Sequence, residues 1–484
     1  MTDATNQPSR LERTLWIAAI GLAALGTWVM YDALPGINWG LWTTAAALGV
    51  FLFLRTPPSR AIVIPAAAAI IIAFGSAVTA DEFMNFLTVL SVIVLLAFEM
   101  LLSPDPRIRR ITAGFFLAAP IVAFASAMME ALNRTAHALD LVRSDRARSV
   151  LRGLAITLPV VVVFALLLST ADPTFADWRE TVKNLLSSWE FLPRTIFFIG
   201  LLAIALGAFG FAAYAEPKAA PLSERVPRKF IGATERLMLL SSLAVLFWLF
   251  LAVQLSYLFG NLPRIQGSGI TFADYARRGF AELTVVATAS VVLILVSERF
   301  GRENGRVGQI RIATLAVLIA VLLLLGSAFN RVLLYEEAYG FTTARLYAQA
   351  YMLIVGFALL ALGWEMRGEI DPSRFFRRTF ATATVVFIAL LYWNHHAWIA
   401  NKNIDRVGST GKLDTAYLTR DLALDAVPTL VERLPTLPEP MRSELQHALV
   451  ARNAKRPRLF KTEWYEWNVR RSAAAAALKQ IQSP

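Results

Sequence analysis

Residues Asn330–Gln349 read NRVLLYEEAYGFTTARLYAQ, and they join two uncharged apolar runs, Ile312–Phe329 and Leu346–Leu362. Each run approaches the roughly 20 residues that cross a bilayer as a helix, so the stretch between them reads as the turn of a membrane hairpin. Gly340 stands where a left-handed helix stop is expected, and Thr342 or Thr343 can cap the next helix. Glu336 and Glu337 then fall in the last turn of one helix, and Arg345 in the first turn of the other. Each sign opposes the helix dipole, at a cost of roughly 0.3–1 kcal/mol apiece. The expectation is that Arg345 is held by Glu336 or Glu337 across the turn. Adjacent glutamates point about 100° apart on a helix, so at most one of them meets it. Arg331 and Tyr335, one turn apart, share a face.

The rest of the chain repeats the apolar pattern. Runs fall at about 14–31, 40–54, 61–80, 84–102, 111–129, 153–169, 195–214, 237–258, 280–297, 312–329, 346–364 and 379–393. With 56% hydrophobic and 17% charged residues over 484 positions, the composition is that of a membrane protein. The fold class expected is all-α: a polytopic helical membrane protein of about 11–12 transmembrane helices with a small C-terminal helical domain. Three regions are expected: N-terminal transmembrane helices over 1–150, a transmembrane core over 151–393, and a soluble helical tail over 394–484. The absence of cysteine excludes disulfides, thiolate metal sites and cysteine nucleophiles. The net charge of +12 is dispersed among loops rather than gathered in a stripe, which argues against nucleic acid. MTDATNQPSRLER, followed by an apolar run with no small-residue cleavage site, reads as leading into a first transmembrane helix.

Lys and Arg counts in the loops orient the chain. The N-terminus has two, loop 55–60 two and loop 103–110 three, whereas loops 31–39 and 81–83 have none. Loops 215–236, 298–311 and 365–378 hold five, four and four; their alternates 170–194, 259–279 and 330–345 hold three, three and two. A cytoplasmic N-terminus follows. Both 103–110 and the Arg-rich 133–152 look cytoplasmic, so the run between them is either re-entrant around Pro120 or a kinked helix that crosses against the bias. With eleven crossings the tail beyond Trp393 is extracytoplasmic. The bacterial inner membrane is the location this reading implies.

Four stretches carry more than composition: LSTADPTFADW, ITFADYARRGFAELT, LLYEEAYGFTTARLYAQAY and IANKNIDRVGSTGKLDTAYLTRDLALDAVPTL. In order and spacing, over roughly Leu151 to Leu430, they resemble a bacterial family of multi-pass membrane proteins, the domain of unknown function 4153/4173. The resemblance implies the architecture and no substrate.

Under eleven crossings all four stretches share the outer face. That brings Asp172, Asp274, Arg277, Arg278, Arg331, Tyr335, Glu336, Glu337, Arg345, His395 and His396 to one membrane edge as candidate binding residues, with Asn403, Asp405 and Arg406. Arg277 or Arg278 either binds an anionic group or, with Arg278 and Glu282 one turn apart, holds an interfacial helix. Adjacent His395 and His396 lack a third partner in sequence and read as interfacial rather than metal-binding. Glu99 lies near the end of its run, within reach of headgroups, and Gln254 reads as a bond between neighbouring helices. Trp464 and Trp467 read as a patch facing a partner or the membrane, or as anchors of the last helix.

No phosphate loop, nucleophile elbow or metal framework is present, so no catalytic residue and no cofactor is assigned. The reading leans to a non-enzymatic membrane component that binds an envelope lipid, or a protein partner through its tail, at the outer face. A transporter or channel for a small or anionic solute is the alternative. A membrane-embedded transferase ranks third.

Overall fold

The computed structural model describes residues 10–104, 113–139, 157, 161, 191–216, 229–259, 279–301, 306–368, 370–454 and 462–482. Among these residues the regular structure is helical apart from one isolated bridge, Ile231 to Gly301. Nine of the described helices are long and apolar enough to cross a membrane. The protein is therefore all-α and polytopic. The chain divides into two compact units, 1–108 with 116–220 and 460–472, and 109–115 with 221–459 and 473–484.

The first unit holds α1 (Arg10–Met30), α2 (Ile37–Leu52), α3 (Arg60–Phe74), α4 (Glu82–Leu102), α5 (Ala113–Leu139) and α6 (Phe191–Tyr214). α5 runs unbroken with Pro120 inside it. Leu15, Leu22, Val50, Phe53, Leu206 and Phe209 form a shared core. At Gly207 the α6 backbone meets α5 so closely that a Cβ would overlap the Ala127 carbonyl, as small residues allow in membrane bundles. Buried Asn38 closes the α1–α2 turn: its Nδ2 donates to the Val29 and Leu34 carbonyls, and its Oδ1 accepts from the N–H groups of Gly36 and Trp39. One end of the unit is tied by Arg134, which pairs with Glu12 and Glu130.

The second unit holds α7 (Ala233–Phe259), α8 (Phe280–Phe300), α9 (Val307–Tyr339), α10 (Thr343–Glu365) and α11 (Pro372–Tyr392). Their core includes Leu240, Ile294, Val317, Leu324, Met352, Leu359 and Phe375. Asp371 caps α11 through the N–H groups of Ser373 and Arg374, with Pro372 preset for the first turn. Asn394 caps α12 (His395–Asp405), and short helices α13 (Val407–Thr410), α14 (Val427–Arg433) and α15 (Met441–Ala454) follow. α16 spans Val469–Gln482.

Candidate functional site

In the second unit the Asn330–Gln349 hairpin is built as its residues dictate. Gly340 ends α9 at φ 89°, and Thr342 Oγ1 accepts from the Arg345 N–H to start α10. α12 lies against the turn. Asn403 Oδ1 accepts from the Phe341 N–H at 2.9 Å, and its Nδ2 donates to the Phe341 carbonyl at 2.8 Å. Arg406 Nη2 donates to the Glu337 and Ala338 carbonyls at 2.9 and 3.0 Å, satisfying acceptors that a helix end leaves open. A Cβ at Gly340 would stand 2.6 Å from both Asn403 Oδ1 and Arg406 Nη1, so glycine is needed there for space as well as for its backbone angle. Farther along, the Tyr417 hydroxyl accepts from the Thr343 N–H at 2.8 Å, and burial pushes that phenol above its ordinary range.

The expected pairing of Arg345 with a glutamate is not what holds it. Its guanidinium donates to the Gly340 carbonyl and lies 4.0 Å over the Tyr335 ring. Among the described residues it makes no ion pair. Glu336 is buried and accepts from Gln349 Nε2 at 2.8 Å, while Glu337 is exposed, as their angular separation requires. Arg331 Nη1 lies against Gly279, the glycine that ends YARRG. His395 and His396 are buried and stacked 4.4 Å apart, with Tyr347 Oη 2.9 Å from His395 Nε2. His396 Nδ1 accepts from the Ala423 N–H at 3.4 Å. Asp405 pairs with Arg433. Asp172, Asp274, Arg277 and Arg278 lie outside the described residues. The hairpin residues that are described are thus gathered at one end of the bundle, and their polar groups largely fasten α12 and the residues after it.

The first unit holds a cavity that sequence inspection missed. It measures about 380 Å³ and is lined by Ala24, Thr27, Trp28, Phe191, Arg194, Thr195 and Phe198. Arg194 lies 5.7 Å from the Tyr31 ring and makes no ion pair among the described residues. Trp464 and Tyr465 pack edge-on against Trp28, at 6.0 and 6.1 Å. Trp464 stays 59% exposed and Trp467 49%. The segment carrying them is seated firmly. Glu466 Oε1 accepts from the Leu34 N–H, and the Ile37 N–H donates to the Trp467 carbonyl. Asn468 Nδ2 bonds the Ser76 and Thr79 carbonyls at 2.7 and 2.8 Å. Arg471 donates to the carbonyls of Pro35 and Glu466. Its burial pulls the guanidinium down from its ordinary range, and neighbouring Glu466 counters part of that. Only the tryptophans signalled this site in sequence. Arg194 lay too far along the chain to be linked with Trp28.

No curated protein and no solved structure matches the chain. The family model described as "Domain of unknown function (DUF4153)" matches residues 66–433, three quarters of the chain, and the protein belongs to that family.

Proposed function

We propose that the protein is a non-enzymatic component of the bacterial cytoplasmic membrane that holds an anionic envelope lipid at its outer face. One observation carries this reading. The cavity of the first unit combines an arginine that makes no ion pair among the described residues with Trp28, Phe191 and Phe198 beside half-exposed Trp464. Aromatic side chains of this kind favour the headgroup level of a bilayer, and a guanidinium suits a lipid phosphate. Arg277 and Arg278 remain candidates for the same task in the second unit, and a protein partner is the other occupant the tail could take.

The side of the membrane is inferred from charge. In the first unit, residues 466–471 bond loops 34–37 and 76–79, which carry no Lys or Arg. In the second unit, α12 bonds the 340–341 turn, within the alternate that has fewest. Loops poor in cations face away from the cytoplasm, which supports a cytoplasmic N-terminus and an extracytoplasmic tail. A reporter fused after Gln480 is then active only when exported; cytoplasmic activity in a stable fusion overturns this orientation. For the lipid, native mass spectrometry of the purified protein should retain an anionic phospholipid, reduced several-fold by Arg194→Ala combined with Trp28→Ala. Equal retention by variant and wild type rejects the cavity as the site.

A transporter is the second reading, favoured by polar groups buried inside spans. Gln254 in α7 is buried, and its amide makes no hydrogen bond among the described residues, contrary to the helix bond expected of it. Uptake of a solute by vesicles containing the purified protein would promote this reading over lipid binding.

A further inference from the structure

Among the described residues, buried glutamates follow a rule with one exception. Glu365 is held by Arg374 and Arg378, Glu336 by Gln349, and Glu466 by the N–H groups of Leu34 and Glu463. Glu99 of α4 is 0% exposed, and neither of its oxygens has a hydrogen-bond partner among the described residues. The sequence placed it within reach of headgroups; the structure turns it inward. Its helical register explains why. Thr88, Val92, Leu95 and Glu99 recur at intervals of four, three and four, which makes one face of α4, and all four are buried.

We infer that Glu99 is a proton-binding site in the first unit. An isolated carboxylate is costly in an apolar interior unless a cation or hydrogen-bond donors compensate it. α4 packs on α2, α3, α6 and the turn Gly75–Ala77. The ionisable groups of those elements are few. α2 and the turn have none, and α3 has only Arg60, its exposed first residue. α6 has Arg194 in its first turn, far along the helix from Tyr214, whose hydroxyl bonds Glu12. α4 itself adds Glu82, at its other end beside the capping Asp81. Arg55, in the loop before α3, donates to the Ala213 carbonyl. Among the described residues no cation bonds Glu99, and a proton is the species that neutralises it. The hydroxyls of Thr43 on α2 and Thr88 on α4 are likewise buried without partners among the described residues, leaving this unit's core with exchangeable dipoles besides the carboxyl. Intramembrane carboxyl groups of this type mark proton pathways.

Infrared difference spectroscopy on the full-length protein in lipid tests the site. The expected result is a carbonyl band of a carboxylic acid that weakens as pH is raised, shifts on transfer to D2O within minutes, and is wholly lost in Glu99→Gln. Superimposable spectra of wild type and variant, or a band that ignores D2O for hours, overturns the proposal. Should Glu99→Gln fail to fold, carbodiimide labelling of the wild type with peptide mapping takes its place. A Glu99 adduct whose yield falls several-fold as pH rises supports the site. A yield indifferent to pH, or no adduct, overturns it.

Discussion

The two ends of the second unit use the same residue for opposite purposes. At the end where α10 finishes and α11 begins, arginines converge on a carboxylate. Arg374 Nε bonds both oxygens of buried Glu365 at 2.9 and 2.7 Å, its Nη2 lies 2.6 Å from Oε2, Arg378 pairs with Oε1, and Arg236 pairs with Glu298 between α7 and α8. At the end where α9 turns into α10, arginines converge on carbonyls. Arg345 donates to Gly340, and Arg406 to Glu337 and Ala338. The difference lies in where the negative charge resides. A carboxylate buried among helices needs cations, whereas a helix C-terminus already presents unsatisfied carbonyls with the sign of its dipole. Glu336 and Glu337 drew attention as partners for Arg345, but the acceptor that prevailed was the backbone between them.

The sharpest way to break this contrast is to strip the cations from the ionic end. Arg374→Ala with Arg378→Ala strips both cations from the buried Glu365 carboxylate, which should appear as the largest fall in detergent melting temperature. At the carbonyl end, Asn403→Ala strands the Phe341 N–H and should cost about 1–3 kcal/mol. Gly340→Ala should cost a similar amount from its positive φ and the crowding by Asn403 and Arg406. Arg345→Ala should cost about 1 kcal/mol, since it loses a ring contact and one carbonyl bond. Glu337→Gln should change nothing measurable. Thermal melts of the two side by side would revive the ionic clamp if Glu337→Gln proved the more harmful.

A small effect is also expected at alkaline pH. Burial raises the Tyr417 phenol above its ordinary 10.0, so its neutral form is favoured in the folded chain. That contribution is fully present below pH 10.0 and is lost as pH climbs through the raised value. Stability curves of wild type and Tyr417→Phe should therefore converge at high pH; parallel curves would show that Tyr417 does not titrate with unfolding.

Much of this architecture was legible because membrane helices announce themselves by length. Gly340 and Thr342 were readable as stop and cap for the same local reason: one supplies a backbone angle, the other an oxygen three residues before an open N–H. Partners across space were less accessible. A carbonyl such as that of Gly340 carries no letter in the sequence, so Arg345 could only be matched with acidic residues. The facing of Glu99 was hidden because α4 is apolar nearly all round, and periodicity cannot select an inward face when every face is hydrophobic. The Arg194 cavity joins residues 24–28 with 191–198, and nothing in spacing relates stretches so far apart.

The seat of residues 466–471 in the first unit sets a timetable for biogenesis. The Leu34 and Ile37 N–H groups and the Pro35, Ser76 and Thr79 carbonyls find these partners in residues made 389 to 436 positions later. At ordinary rates of synthesis that interval is about 20–80 s. Through it, the earliest helices wait in the bilayer with an open polar rim, vulnerable to proteases and available to chaperones. A chain that stopped after Trp393 would carry these helices with five backbone groups lacking the partners that residues 466–471 supply.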